Sequence, residues 1–196
     1  MKKFLIFCFL TLSLSALGQR FNGGIVGGMN VSQIDGDTWG GYNKAGLVGG
    51  AYVFTQFQNN WGAQMEIRYA AKGSAPSINN PLHLKIRLQY VELPLVATYA
   101  FTEKLQVYAG GNFGYLFSAA QNEGYGYQEF QEFDKYSVDA CAGVNYHLLD
   151  NLSINVRFSY SVVPIYALYS GATGIYAMYN NVITFAFYYR IGKKYP

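Results

Sequence analysis

The chain has little charge. Only 13% of its 196 residues are Asp, Glu, Lys or Arg, about half the usual share. Such a chain is not disordered, because disorder goes with high charge and few aromatics. It has two cysteines, Cys8 and Cys141, and two histidines, His83 and His147. One thiol in the body of the chain cannot staple a secreted mini-domain. Two histidines and that thiol supply no zinc cluster. No apolar run reaches the about 20 residues that a spanning helix needs. Only residues 1–17 come near it, so a polytopic helical membrane protein is excluded. No phosphate loop is present, and no internal repeat beyond a hairpin rhythm.

Aromatics and glycine are plentiful instead. There are 19 Tyr, 14 Phe and 22 Gly. Mean hydropathy is close to zero, at +0.05. The length suits one domain.

The N-terminus reads as an export signal. Lys2 and Lys3 precede the apolar run Phe4 to Leu14, and Ser15-Ala16-Leu17-Gly18 supplies small residues for cleavage. The expected domains are therefore a signal peptide, 1–18, and a mature barrel domain, 19–196. Cys8 lies in the middle of the apolar run, so a lipoprotein anchor is not expected. Of 14 basic residues, removal of Lys2 and Lys3 leaves 12 against 11 acids. The formal charge falls from +3 to +1, and no nucleic-acid partner is expected.

Beyond residue 20 the dominant period is two. In Trp61 to Lys72, the set Trp61, Ala63, Met65, Ile67, Tyr69 and Ala71 alternates with Gly62, Gln64, Glu66, Arg68, Ala70 and Lys72. Such alternation marks a strand with one apolar and one polar face. Eight strands follow: Phe21–Val31, Gly46–Phe57, Trp61–Lys72, Leu84–Phe101, Leu105–Phe117, Lys135–Leu148, Asn151–Val162 and Asn180–Ile191. The fourth changes apolar parity at Tyr90-Val91, beside Pro94, which predicts a bulge there. Connections alternate between tight turns and the long segments 32–45, 73–83, 118–134 and 164–180. This is the rhythm of an up-and-down membrane barrel.

Parity then decides which face meets what. An eight-stranded barrel has little interior room. Small and polar residues suit that interior, and the bulky aromatic face suits lipid. The expected fold is an all-β, eight-stranded antiparallel up-and-down transmembrane barrel in the Gram-negative cell outer membrane, with both termini periplasmic. The inferred lumen carries Glu66, Arg68, Lys85, Arg87, Glu92, Asp139, Arg157 and Arg190. Unpaired charges there are costly, so a cross-strand network is expected. Glu66 and Arg68 would face the strand of Arg87 and Glu92, and Asp139 would face Arg157's strand.

Several stretches resemble a known group. They are Gly23-Gly24-Ile25-Val26-Gly27-Gly28-Met29-Asn30, Ser32 to Asp37, Tyr69-Ala70-Ala71-Lys72-Gly73-Ser74 and Tyr90-Val91-Glu92-Leu93-Pro94-Leu95, with the aromatic last strand. In these the chain resembles the PorT-like outer-membrane β-barrel proteins of Bacteroidota. The resemblance spans the mature chain and implies the barrel fold, the membrane and a link to protein secretion.

Candidate sites are few. Asp35-Gly36-Asp37 is read as a turn rather than a calcium loop. The third long loop holds Tyr125, Tyr127, Glu129, Phe130, Glu132 and Phe133, aromatic anchors and acids suited to a partner protein. The fourth, Tyr166 to Tyr179, is uncharged and is either a membrane-surface or a docking segment. His83 and His147 fall at opposite ends, so no catalytic set and no cofactor is expected. Expected partners are outer-membrane lipid, the barrel-assembly machinery during biogenesis and a secretion-system or surface protein. The expected role is a plugged structural or interaction barrel. The alternatives are a narrow channel or porin for small solutes, an outer-membrane lipid-modifying enzyme, or a soluble ligand-binding barrel.

Overall fold

A computed structural model describes residues 21–37, 39–57, 60–77, 85–122, 126–129, 133–170 and 174–192. The expected signal peptide lies outside them. Ten strands are present: β1 (Phe21–Asp35), β2 (Lys44–Gln56), β3 (Trp61–Ser74), β4 (Lys85–Ala100), β5 (Leu105–Asn122), β6 (Tyr127–Glu129), β7 (Tyr136–Leu149), β8 (Leu152–Ser161), β9 (Tyr166–Ser170) and β10 (Gly174–Ile191). Eight of them pair antiparallel in the order β1-β2-β3-β4-β5-β7-β8-β10, and β10 pairs back onto β1. The sheet is a closed eight-stranded barrel, so it has no edge along its wall. The short β6 and β9 extend the ends of β5 and β10. Both lie in segments expected to be loops, and β1, β5 and β10 run several residues further than their sequence pattern marks.

Short turns gather at one end, with Phe21 and Ile191. Asn60 takes a left-handed φ of 67° in one of them. The long connections gather at the other end. Between the ends, odd and even residues part cleanly. Ile67, Leu95, Phe113, Phe158, Phe185 and Phe187 are exposed on the outer face. Glu66, Arg68, Glu92, Asn112, Asn155 and Arg157 are buried inside. Two aromatic rings border the outer band. At the turn end Trp61 packs at a tilt against Tyr99 (5.0 Å), and Tyr99 edge-on against Phe101 (5.2 Å). At the loop end Tyr69 meets Phe117 (6.2 Å) and Tyr115 meets Tyr136 (5.7 Å). Along β7 the outward Tyr136 and Tyr146 lie ten residues apart, which in a tilted strand is about 25 Å, the height of an outer-membrane apolar band.

The bulge sits where the sequence places it along the barrel, but on the neighbouring strand. Gln89 pairs with Ser118 and Tyr90 with Leu116, so the extra residue is Phe117 of β5. β4 keeps one phase throughout, with Ile86, Leu88, Tyr90 and Glu92 all buried inside. Its apparent change of parity has another cause. The loop end of the lumen is apolar, so inward residues there look like outward ones.

The β2–β3 ladder runs only from Gln56–Gly62 to Val48–Ala70. Beyond it the end of β3 is tied to β1 instead. Asn30 Nδ2 donates to the Ala71 carbonyl (3.2 Å) and Ser32 Oγ to that of Gly73 (3.0 Å). Gly46 permits this approach, because a Cβ there would stand 2.2 Å from the Ala71 oxygen. Within β3, Gly73 takes a φ of +140°, a backbone conformation that favours glycine. Gly46→Val should therefore lower stability by about 1–3 kcal/mol, read as a lower urea midpoint of the barrel in micelles. An unchanged midpoint would show that β3 does not pass so close.

Candidate functional site

The interior is layered. In its middle six charges form one chain: Arg157, Glu66, Arg68, Glu92, Lys72, Asp139. Arg157 Nη2 stands 2.5 Å from Glu66 Oε1. Arg68 lies 3.6 Å from Glu66 and 2.8 Å from Glu92. Lys72 Nζ is 2.5 Å from Glu92 and 2.9 Å from Asp139. Bases and acids alternate along it, three of each, so the chain is neutral. β3 and β8 stand on opposite sides of the eight-strand ring, so the Arg157–Glu66 pair crosses the lumen. All six side chains are buried, Arg157 and Glu92 at 0% exposure.

Neutral groups complete the chain. Tyr188 O–H donates to Glu66 (3.0 Å) and accepts from Arg157 (3.2 Å). Arg157 Nε and Asn155 Nδ2 both donate to Tyr108 Oη, at 2.8 and 2.7 Å. Asn112 and Ser161 donate to the two oxygens of Asp139, each at 2.9 Å. Hydrogen bonds of this kind are what make a buried ion chain tolerable.

Above the charges, at the loop end, lies an apolar cap. Ile34, Ile86, Leu88, Tyr90 and Leu116 point in from the strands, and Phe133 and Ile165 close over them from the loops. The loops are tied by backbone bonds, Asp134 N–H to Ile165 O and Ile165 N–H to Met178 O, both 2.8 Å. Below the charges, Tyr52 packs edge-on against Tyr188 at 5.1 Å. Ring and polar groups continue to the turn end, where Asn145, His147 and Ser153 face inward.

Four sequence expectations need correction. Arg87 and Lys85 face outward and are exposed. Arg87 instead stacks over the Tyr127 ring at 4.2 Å. The reason is parity: Glu92 is inward, and residues an odd number away are outward. Asp139 pairs with Lys72, not Arg157, because the register sets it opposite Ser161, two inward rows above Arg157. Phe133 is not an exposed anchor but part of the cap, 6% exposed. The interior also takes large rings, Tyr52, Tyr90, Tyr108 and Tyr188, not only small and polar residues. Of the other loop residues, Tyr127 and Glu129 are exposed. Tyr125, Phe130 and Glu132 lie outside the described residues, as does His83.

Lys72, Tyr108 and Tyr188 were missing from the expected network. Each shares the polar parity of its own strand, so the signal was present. Arg190 faces inward at the turn end, but no acid of the described residues pairs with it. His147 Nδ1 lies 2.6 Å from Ser153 Oγ across the β7–β8 hairpin, a contact that linear spacing did not reveal. Asp35 and Asp37 turn to separate neighbours: Gln33 and Asn181 donate to Asp35, and Trp39 N–H donates to Asp37 at 2.8 Å. Burial raises the Asp37 carboxyl above its ordinary value, against the lowering effect of its hydrogen bonds. Among the described residues no group of three His, Cys, Asp or Glu could hold a metal ion.

The family model for the outer membrane protein beta-barrel domain matches residues 13–167. The chain belongs to that family. No curated protein sequence matches it. Solved structures similar in fold include two bacterial proteins. The attachment invasion locus protein Ail of Yersinia pestis matches at a TM-score of 0.55 and 16% identity, over 87% of this chain and 98% of that one. Neisserial surface protein A matches at 0.52 and 13%, over 89% and 99%. The protein is thus an integral barrel of the cell outer membrane, and its aromatic outer face contacts lipid.

The layered interior sets a contrast between two charged residues. Glu92→Ala strands Arg68 and Lys72 and should cost about 3–5 kcal/mol of unfolding stability. Arg87→Ala should stay within about 0.5 kcal/mol. Denaturant titration in micelles reads both, and equal losses would contradict the assigned facings.

Proposed function

We propose that this is a non-conducting outer-membrane barrel whose loop end serves as an interaction surface. The observation that carries this reading is the neutral ion chain bridging β3 and β8 beneath an apolar cap. A solute path would have to break both layers at once. Eight strands already leave no room beside the side chains that fill them. The short turns and the described ends of the chain belong on the periplasmic side, as in barrels of this class. Residues 1–18 are removed on export, and the barrel-assembly machinery inserts the rest.

The finer placement is with the PorT-like proteins of Bacteroidota, on the residues that carry that resemblance. Through it the barrel is an accessory to protein secretion, with a secretion-system or surface protein as partner at its loops. The reading is non-enzymatic. The contact of Ser153 with His147 opens into the lumen, where acyl chains of the surrounding lipid do not reach.

Purified protein in planar bilayers should give no unitary current over the usual voltage range. Stable open-channel steps would replace this reading with the narrow-channel one. Cross-linking in the native membrane should then recover secretion components if the accessory role holds.

A further inference from the structure

The six-charge chain is neutral within itself, which leaves Arg190 over. Arg190 stands at the turn end on the lumen side of β10, opposite Gly24 of β1. Gly24 has no side chain, and the Tyr52 ring stands over it. Arg190 Nε is buried and has no hydrogen-bond partner. A buried guanidinium nitrogen without an acceptor is costly to keep. The acids of this end, Glu103 and Asp150, are exposed in the turns rather than in the lumen.

Two further polar groups lie on the same rim. Tyr188 is one inward step from Arg190 and pairs across to Ser153. Ser153 in turn pairs with His147 and is hydrogen-bonded to it. A guanidinium, a hydroxyl and an imidazole thus stand on the lumen side of β10, β8 and β7, at the mouth of the turn end. A guanidinium fork fits a carboxylate or phosphate through two parallel N–H bonds.

We propose that this mouth is an oxyanion site in which Arg190 binds a carboxylate or phosphate group, with Ser153 and His147 beside it. Two sources offer that chemistry on the periplasmic side: a soluble anion, or the phosphate of an inner-leaflet lipid headgroup.

The test follows the arginine Nε–H signals of labelled barrel in phosphate-free maltoside micelles, titrated with inorganic phosphate. The Arg190 signal, identified by its loss in Arg190→Gln, should shift and saturate in the millimolar range, as one charge-assisted pair allows. Arg68 and Arg157, sealed in the ion chain, should not move. Arg190→Lys keeps the charge but not the fork, and should weaken phosphate protection against heat by several-fold. If Arg190→Gln does not fold, the wild-type titration and Arg190→Lys still decide. A second arm replaces the micelles, which carry no phosphate, by nanodiscs of phosphatidylcholine and phosphatidylglycerol. An Arg190 signal already shifted in the nanodiscs relative to the micelles, and then insensitive to added phosphate, assigns the headgroup. A shift with added phosphate alone assigns a soluble anion. No shift in either arm, or a linear drift like that of the exposed Arg87, overturns the site.

Discussion

Eight strands closed on themselves leave an interior that their own side chains must fill, and the rest of the molecule follows from this. Lipid outside removes the usual reason to hide apolar groups. The aromatic and branched residues therefore go outward, and the polar ones go in. Inside, volume is the scarce quantity. Where rings enter, at Tyr52 and Tyr108, they stand over Gly24 and Gly143 of neighbouring strands. Small residues on one strand make room for large ones on the next.

Filling a lumen with charge is expensive unless the charges cancel. A carboxylate or guanidinium withdrawn from water loses several kcal/mol of solvation that a single contact does not restore. Alternation solves this: each inner member of the chain has opposite charges on both sides, and the two ends, Arg157 and Asp139, are completed by Tyr108, Tyr188, Asn112 and Ser161. Because the chain joins β3 to β4, β7 and β8, it also rewards one strand register over its neighbours. A slip by one residue would turn every one of these charges toward lipid.

Parity made the faces legible in the sequence. It placed Glu66, Arg68, Glu92, Asp139 and Arg157 on the lumen side without knowledge of any contact. It could not say which acid meets which base, because pairing depends on register and on reach across the barrel. Lys72 shows this: its strand neighbours were seen as inward, yet its partners lie on β4 and β7. Parity also failed where the environment changed along the axis. Near the loops an inward Ile86 or Leu88 looks like an outward residue, so the pattern points Arg87 inward. Phe133 is hidden from the sequence for a related reason. Its loop is polar around it, and only the cap below explains a buried ring.

The layers divide the barrel by function. The middle is a neutral chain of ion pairs that joins the strands around it. Over the loop end of the lumen lies an apolar cap that includes Phe133 and Ile165, which belong to connections rather than to the wall. The cap therefore couples the interior to the loops: whatever engages the loops also bears on the packing over the lumen. Among the described residues the turn end has no such cover, and it keeps an inward cation outside the neutral chain, Arg190. The features that interior filling does not require thus fall at the two mouths, and those are the places where a barrel of this size has surface to spend on recognition.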